Sequence, residues 1–142
     1  MRFITEYCRL DQKLIRNPYI LTRIGENMQQ LEVLQYDTEL YINTGYYTIR
    51  LSPNIQYITT IVTEFGKFRY NCLPMGMCAS GDILQAKVDK LLSDIKVVKT
   101  YIGDILILIK DCFINHIEQL RMILVRLRAD SLPRLCYNKG GY

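Results

Sequence analysis

One carboxylate in this chain stands where chemistry is easily built. Tyr101-Ile102-Gly103-Asp104 separates two apolar, β-prone runs, Val97-Val98 and Ile105-Leu106-Ile107-Leu108-Ile109. An acidic turn between buried strands is held rigidly and can ligate a hard divalent cation through oxygen. The chemistry such cations serve is phosphoryl transfer, in which two ions roughly 4 Å apart are bridged and flanked by several carboxylates. Asp104 is the candidate ligand, and its neighbour Gly103 offers no donor at all. Glycine at such a place also has a purely structural use, because the tip of a two-residue hairpin favours residues that tolerate positive φ.

The elements that must position this turn are legible around it. Val97–Ile102 reads as a strand, Gly103-Asp104 as the turn and Ile105–Ile109 as the returning strand. Upstream, Gly81-Asp82 opens a helix on which Leu84, Val88, Leu91 and Ile95 share one face, with Asp82 suited to the helix dipole. A second helix is expected from about Asn115 to Ala129, with Ile117, Leu120, Leu124 and Leu127 inward. Gln35 to Ile42 looks extended and is punctuated by Asn43-Thr44-Gly45. Ile55 to Val62, a turn at Glu64-Phe65-Gly66-Lys67, and Phe68 to Cys72 read as a β-hairpin. After Pro133 no closing element is evident. Without the first hairpin the order is β-α-β-β-α. We therefore expect an α+β fold, an antiparallel sheet with helices on one face.

Composition bounds the function more loosely. The 142 residues suit one domain, and 49% hydrophobic with 23% charged residues is an ordinary globular balance. A formal charge of +4 permits an anionic partner without itself indicating nucleic acid. Five cysteines without a C-x-x-C pair, and the single His116, argue against a zinc site. Arg2, Glu6 and Arg9 interrupt any signal-peptide pattern, and the longest apolar run falls far short of the ~20 residues of a membrane span. The expectation is an intracellular (cytoplasmic or nuclear) chain with reduced thiols, no membrane and no secretion.

Several ordered motifs together resemble the reverse transcriptase domain of gypsy-type LTR retrotransposons. Arg2-Phe3-Ile4-Thr5-Glu6-Tyr7 through Pro18-Tyr19 is similar to that family's W-R-F-V-x-D-Y-R segment. N-T-G-Y-Y-T-I-R-L-S-P (Asn43 to Pro53) and F-G-K-F-R-Y-N-C-L-P-M-G-M (Phe65 to Met77) follow. Then come Gln85, the Tyr101–Asp104 turn, His116 and the Leu132 region, in the family's order. The resemblance spans nearly the whole chain. It implies a polymerase palm (about 36–53 and 75–142) with part of the fingers (about 1–35 and 54–74). It also implies template-directed DNA synthesis from dNTPs on an RNA or DNA template with a primer, assisted by Mg²⁺.

Carried over residue by residue, the resemblance places the family's first aspartate at Tyr41 and the first aspartate of its Y-x-D-D turn at Gly103. Asp104 is the carboxylate that remains, as the catalytic and metal-binding residue. One carboxylate cannot hold two cations at a fixed separation. Glu39, two residues before Tyr41 and about 6–7 Å away along an extended chain, is not expected to reach the site without a register shift. Tyr46 stands where the family has its steric gate under the sugar, or is a tyrosine packed at a strand end. Met75 and Gly76 match the segment that cradles the nucleotide, or form an ordinary loop into the helix. Arg2 matches a triphosphate contact, or is a solvated terminal arginine. Gln85 and Tyr101 are supporting residues, and His116 suits a helix start or packing.

Other departures are scattered. Cys8 stands for an expected arginine, Thr22 and Gly81 for prolines and Leu84 for a phenylalanine. We expect a decayed fragment lacking the thumb, connection and RNase H regions, catalytically inactive. The alternatives are a non-catalytic nucleic-acid-binding remnant and a translated pseudogene product without function.

Overall fold

The computed structural model describes residues 4–20 and 36–130, and the backbone of 135–137. Arg2 and Thr22 lie outside the described residues. Helix α1 (Cys8–Asp11) precedes strand β1 (Tyr36–Ile42), a 3-10 turn (Gly45–Thr48) and helix α2 (Pro53–Gln56). Strands β2 (Ile61–Thr63) and β3 (Gly66–Phe68) form a separate two-stranded sheet. Helix α3 (Ser80–Leu92), strands β4 (Val98–Tyr101) and β5 (Asp104–Ile109), helix α4 (Phe113–Ala129) and strand β6 (Leu135–Tyr137) complete the order.

The main sheet runs β4-β5-β1-β6 with every neighbouring pair antiparallel. Its register follows from alternation. Leu40 and Ile42 on β1, and Ile105, Ile107 and Ile109 on β5, turn to one face and are buried. There they meet Leu84, Val88 and Leu92 of α3 and Ile123 and Leu127 of α4 in a single core. Slipping β1 by one residue would expose its apolar set and bury Glu39 and Tyr41 instead. The expected β-α-β-β-α layout with helices on one face is the one observed.

Several details differ from the sequence reading. Residues 53–59 are helical, although β-branched residues fill much of Ile55–Val62. Pro53 at the first helical turn presets φ, and the Thr59 and Thr60 hydroxyls donate to the Gln56 and Tyr57 carbonyls behind them. Only Ile61–Thr63 is strand. Helix α3 starts at Ser80, whose hydroxyl donates to the Pro74 carbonyl at 2.6 Å.

On α4, Ile117 is exposed, and His116 and Ile123 are buried in its place. The inward set is 116, 120, 123, 124 and 127, a helical face rotated by one position. The hairpin turn is Ile102-Gly103, so Asp104 is the first residue of β5 and not a turn residue. Finally, β6 does follow Pro133 and pairs with β1, setting Cys136 opposite Tyr41. Three residues carry too little pattern for sequence to announce them.

Candidate functional site

The register sets the predicted residues opposite one another. Asp104 faces Tyr41 across the β1–β5 pair and Tyr101 across the β4–β5 pair. All three share the sheet face opposite the helices, since the residues between them are the buried ones. Ile42 N–H donates to the Gly103 carbonyl at 2.8 Å, so the hairpin tip is docked on the end of β1. The turn has positive φ at both central residues, +42° at Ile102 and +98° at Gly103. Glycine suits this geometry; a β-branched residue at positive φ is strained and persists only where its surroundings enforce it.

Gln85 supplies that enforcement. Buried on α3, it accepts a hydrogen bond from Ile102 N–H through Oε1 at 2.6 Å. Its Nε2 donates to Asp89 Oδ1 (2.8 Å), Thr100 Oγ1 (2.9 Å) and the Thr100 carbonyl (3.3 Å). The Thr100 hydroxyl in turn donates to Asp89. The two functional groups of one amide therefore bind the strand before the tip and the tip itself. Sequence reading reached Gln85 but missed Asp89 and Thr100. Asp89 lies one helical turn beyond Gln85, a signal that could have suggested it.

Burial holds the Asp104 carboxyl above the ordinary aspartate range, and the Glu39 charge pushes it the same way. Glu39 pairs with Leu106 and so lies diagonal to Asp104 on the same face. From there its charge acts on Asp104, an electrostatic influence distinct from the reach of a metal ligand. Burial, with the Tyr41 phenol beside it, also raises the half-buried Tyr46, whose side chain packs against the core.

A pair of magnesium ions sharing carboxylate ligands demands more than this face presents. Among the described residues, no group of three or more His, Cys, Asp or Glu side chains could hold a metal ion. Asp104 with a diagonal Glu39 and a phenol across the strand does not fit such a pair.

The other candidates lie elsewhere or are occupied. Met75 and Gly76 sit in the loop before α3, where a Cβ on Gly76 would fall 1.7 Å from the Thr5 carbonyl oxygen. That closeness is to the chain's own N-terminal segment. The segment is fastened further: Arg16 bonds both carboxylate oxygens of buried Asp82 (2.7 and 3.1 Å), and Tyr19 N–H reaches the same group at 3.3 Å. Arg16 holds the Asp82 carboxyl below the usual range, burial opposing. Tyr7 is buried and donates to the Thr59 carbonyl at 3.2 Å; burial, then Tyr70, pushes its phenol up to about 12. His116 is buried, with Nε2 2.7 Å from the Thr38 hydroxyl and Nδ1 without a partner. It serves packing between β1 and α4.

No family model matches this chain. Curated relatives do. The retrovirus-related Pol polyprotein from transposon opus of Drosophila melanogaster is 27% identical over 133 residues, covering 92% of this chain and 13% of that protein. An enzymatic polyprotein of Soybean chlorotic mottle virus is 26% identical over 133 residues, with 19% of its length covered. The chain thus spans under a fifth of these polyproteins. An RNA-directed DNA polymerase homolog of Oenothera berteroana is 23% identical over 127 residues, covering 87% of this chain and 89% of that one.

Among solved structures, the foamy viral protease-reverse transcriptase in complex with an RNA/DNA hybrid superposes with a TM-score of 0.83 at 18% identity, over 96% of this chain and 19% of that one. The selenomethionine-labelled prototype foamy virus protease-reverse transcriptase CSH mutant gives 0.82 at 20% identity, over 96% of this chain and 18% of that one. These likenesses establish the fold.

Proposed function

We propose, for a chain that belongs to the retroelement reverse transcriptases, gypsy-type transposons among its relatives, that its ancestral activity was template-directed DNA synthesis and that this copy has lost turnover. The observation that carries the reading is the Tyr41–Asp104 cross-strand pair. Directly opposed residues on antiparallel strands have Cβ atoms about 5 Å apart, so two carboxylates at these positions would converge on one cation. Here one of them is a phenol, and the turn residue beside Asp104 has no side chain. Losing several kcal/mol of charge stabilisation at the transferring phosphoryl group lowers a rate at least about a thousandfold.

Magnesium, dNTPs and a primer on an RNA or DNA template belong to this reading as the partners of the ancestral activity. The foamy viral relative bound to an RNA/DNA hybrid supports a nucleic-acid partner of that kind. No described helix is long and apolar enough to cross a membrane.

The test is primer extension with Mg²⁺ by a chimaera carrying residues 1–142 within an intact gypsy-type polymerase, beside its Tyr41→Asp, Gly103→Asp revertant. Silence in the first and extension in the second is expected. Extension by the unreverted chimaera would overturn the loss of turnover. Silence in both would move the cause from the carboxylates to the scaffold. A second reading, retained nucleic-acid binding without catalysis, is favoured by Tyr101, 41% exposed beside Asp104 and available for stacking.

A further inference from the structure

At the outer edge of the main sheet, a cavity lies where α3 ends and β4 begins. It measures about 530 Å³, and its walls include Tyr19, Asp89, Lys96 and Lys99. A second cavity of about 350 Å³ shares Lys96 and Lys99 and adds Lys110 and Asp111. None of the three lysines is in an ion pair among the described residues, where the pairs are Arg16–Asp82, Lys87–Asp130 and Arg126–Asp94. The acids present are already engaged. Asp89 accepts from Gln85 and Thr100, and Asp111 accepts from Asn115 at 3.1 Å.

β4 is the edge strand of its sheet, and a lysine on an edge also discourages unwanted strand pairing. That accounts for Lys99. It does not account for Lys96 and Lys110, which lie outside β4; Lys96 lines both cavities and Lys110 the second.

We propose that this edge binds single-stranded nucleic acid, a base seated against Tyr19 and neighbouring phosphates on Lys96, Lys99 and Lys110. A positive groove with an aromatic platform is the general solution for a flexible phosphodiester chain. Tyr19 fits the role because its backbone N–H is tied to Asp82 at 3.3 Å, which holds the residue at the cavity wall. An acidic peptide would use the lysines but has no use for the ring. The surface makes no demand on the carboxylates of the Asp104 face, so it stands or falls independently of the activity proposed above.

Fluorescence anisotropy of the full chain with a labelled oligo-dT of about ten nucleotides tests it. With three phosphate contacts on a single strand, affinity is expected to fall about 20-fold from about 50 to about 200 mM salt, and Lys96→Ala, Lys99→Ala, Lys110→Ala together to abolish most of that slope. Tyr19→Phe keeps the ring and should bind nearly as well, whereas Tyr19→Ala weakens binding about tenfold. Circular dichroism melts of each variant establish that it folds. Four results would overturn the proposal: no binding by the folded chain, unchanged binding by the triple variant, sensitivity to Tyr101→Ala in place of the lysines, or tighter capture of poly-glutamate than of oligo-dT.

Discussion

Removing the Gln85 amide is the sharpest test of how the hairpin tip is held. In Gln85→Ala the Ile102 N–H and the Thr100 hydroxyl both lose a partner that is 3% exposed in the folded chain. An unsatisfied buried polar group costs about 1–3 kcal/mol. Water can enter the space left by the side chain and will recover part of this at the half-buried Ile102. A net loss of about 3 kcal/mol follows, or about 10 °C in melting temperature for a chain of this size.

Thermal melts by circular dichroism would measure the loss. Gln85→Glu sharpens the argument. It keeps an oxygen for Ile102 N–H but sets a second carboxylate against Asp89. Two carboxylates in contact raise the folded pKa, so the folded state binds the extra proton and gains stability as pH falls through the carboxylate range. The Glu variant should therefore recover relative to wild type between about pH 7 and about pH 4. A fall of under about 3 °C in Gln85→Ala, or a Glu variant whose deficit ignores pH, would refute the network described here.

Four further outcomes are expected. Ile102→Asn relieves a β-branched residue at φ +42° and should raise stability by about 1 kcal/mol, read as a higher urea midpoint at unchanged slope. Gly76→Ala forces a Cβ into the Thr5 carbonyl and should cost about 3 kcal/mol, with faster proteolysis at Arg9 and Lys13 as the N-terminal segment detaches. Asp104, whose folded pKa is raised, leaves the native chain holding more protons than the unfolded one, so its contribution falls as pH rises above about 4; Asp104→Asn should melt higher than wild type near neutrality and lose that advantage in acid. Gly103→Asp meets only Leu84 at 3.8 Å, an ordinary contact, but must adopt φ +98°, so a cost of about 1–2 kcal/mol should appear in the melt unless the turn changes shape.

Local pattern carried much of the fold. The spacing of Leu84, Val88 and Ile95 and the alternation through Ile105–Ile109 are one-dimensional signals, and both faces were found buried. What eluded the sequence is long-range. The hydroxyls of Thr59 and Thr60 satisfy carbonyls that a strand would have left to a neighbour, turning a β-branched run into helical turns. The close approach of Gly76 to Thr5 joins segments some 70 residues apart and leaves no periodic trace. At the candidate site, the resemblance supplied Tyr41, Gly103 and Asp104, but only the register puts Tyr41 opposite Asp104 and Glu39 on the diagonal.

The hydrogen bonds of the tip make scaffold and chemistry separable. Gln85, Thr100 and the Ile42 N–H act on backbone, on Asp89 or on one another, and none of those bonds ends on the Asp104 carboxylate. The hairpin can therefore keep its shape whatever side chain stands at 41, and the intact core does not depend on the ligand set. The two reversions are not equivalent on this account. Tyr41 lies on the open face of β1, where an aspartate changes the chemistry and leaves the core packing alone. Gly103 sits in a backbone conformation that an aspartate resists. Making Tyr41→Asp first would separate the effect of a carboxylate on β1 from that of a side chain in the turn, which the double variant alone confounds.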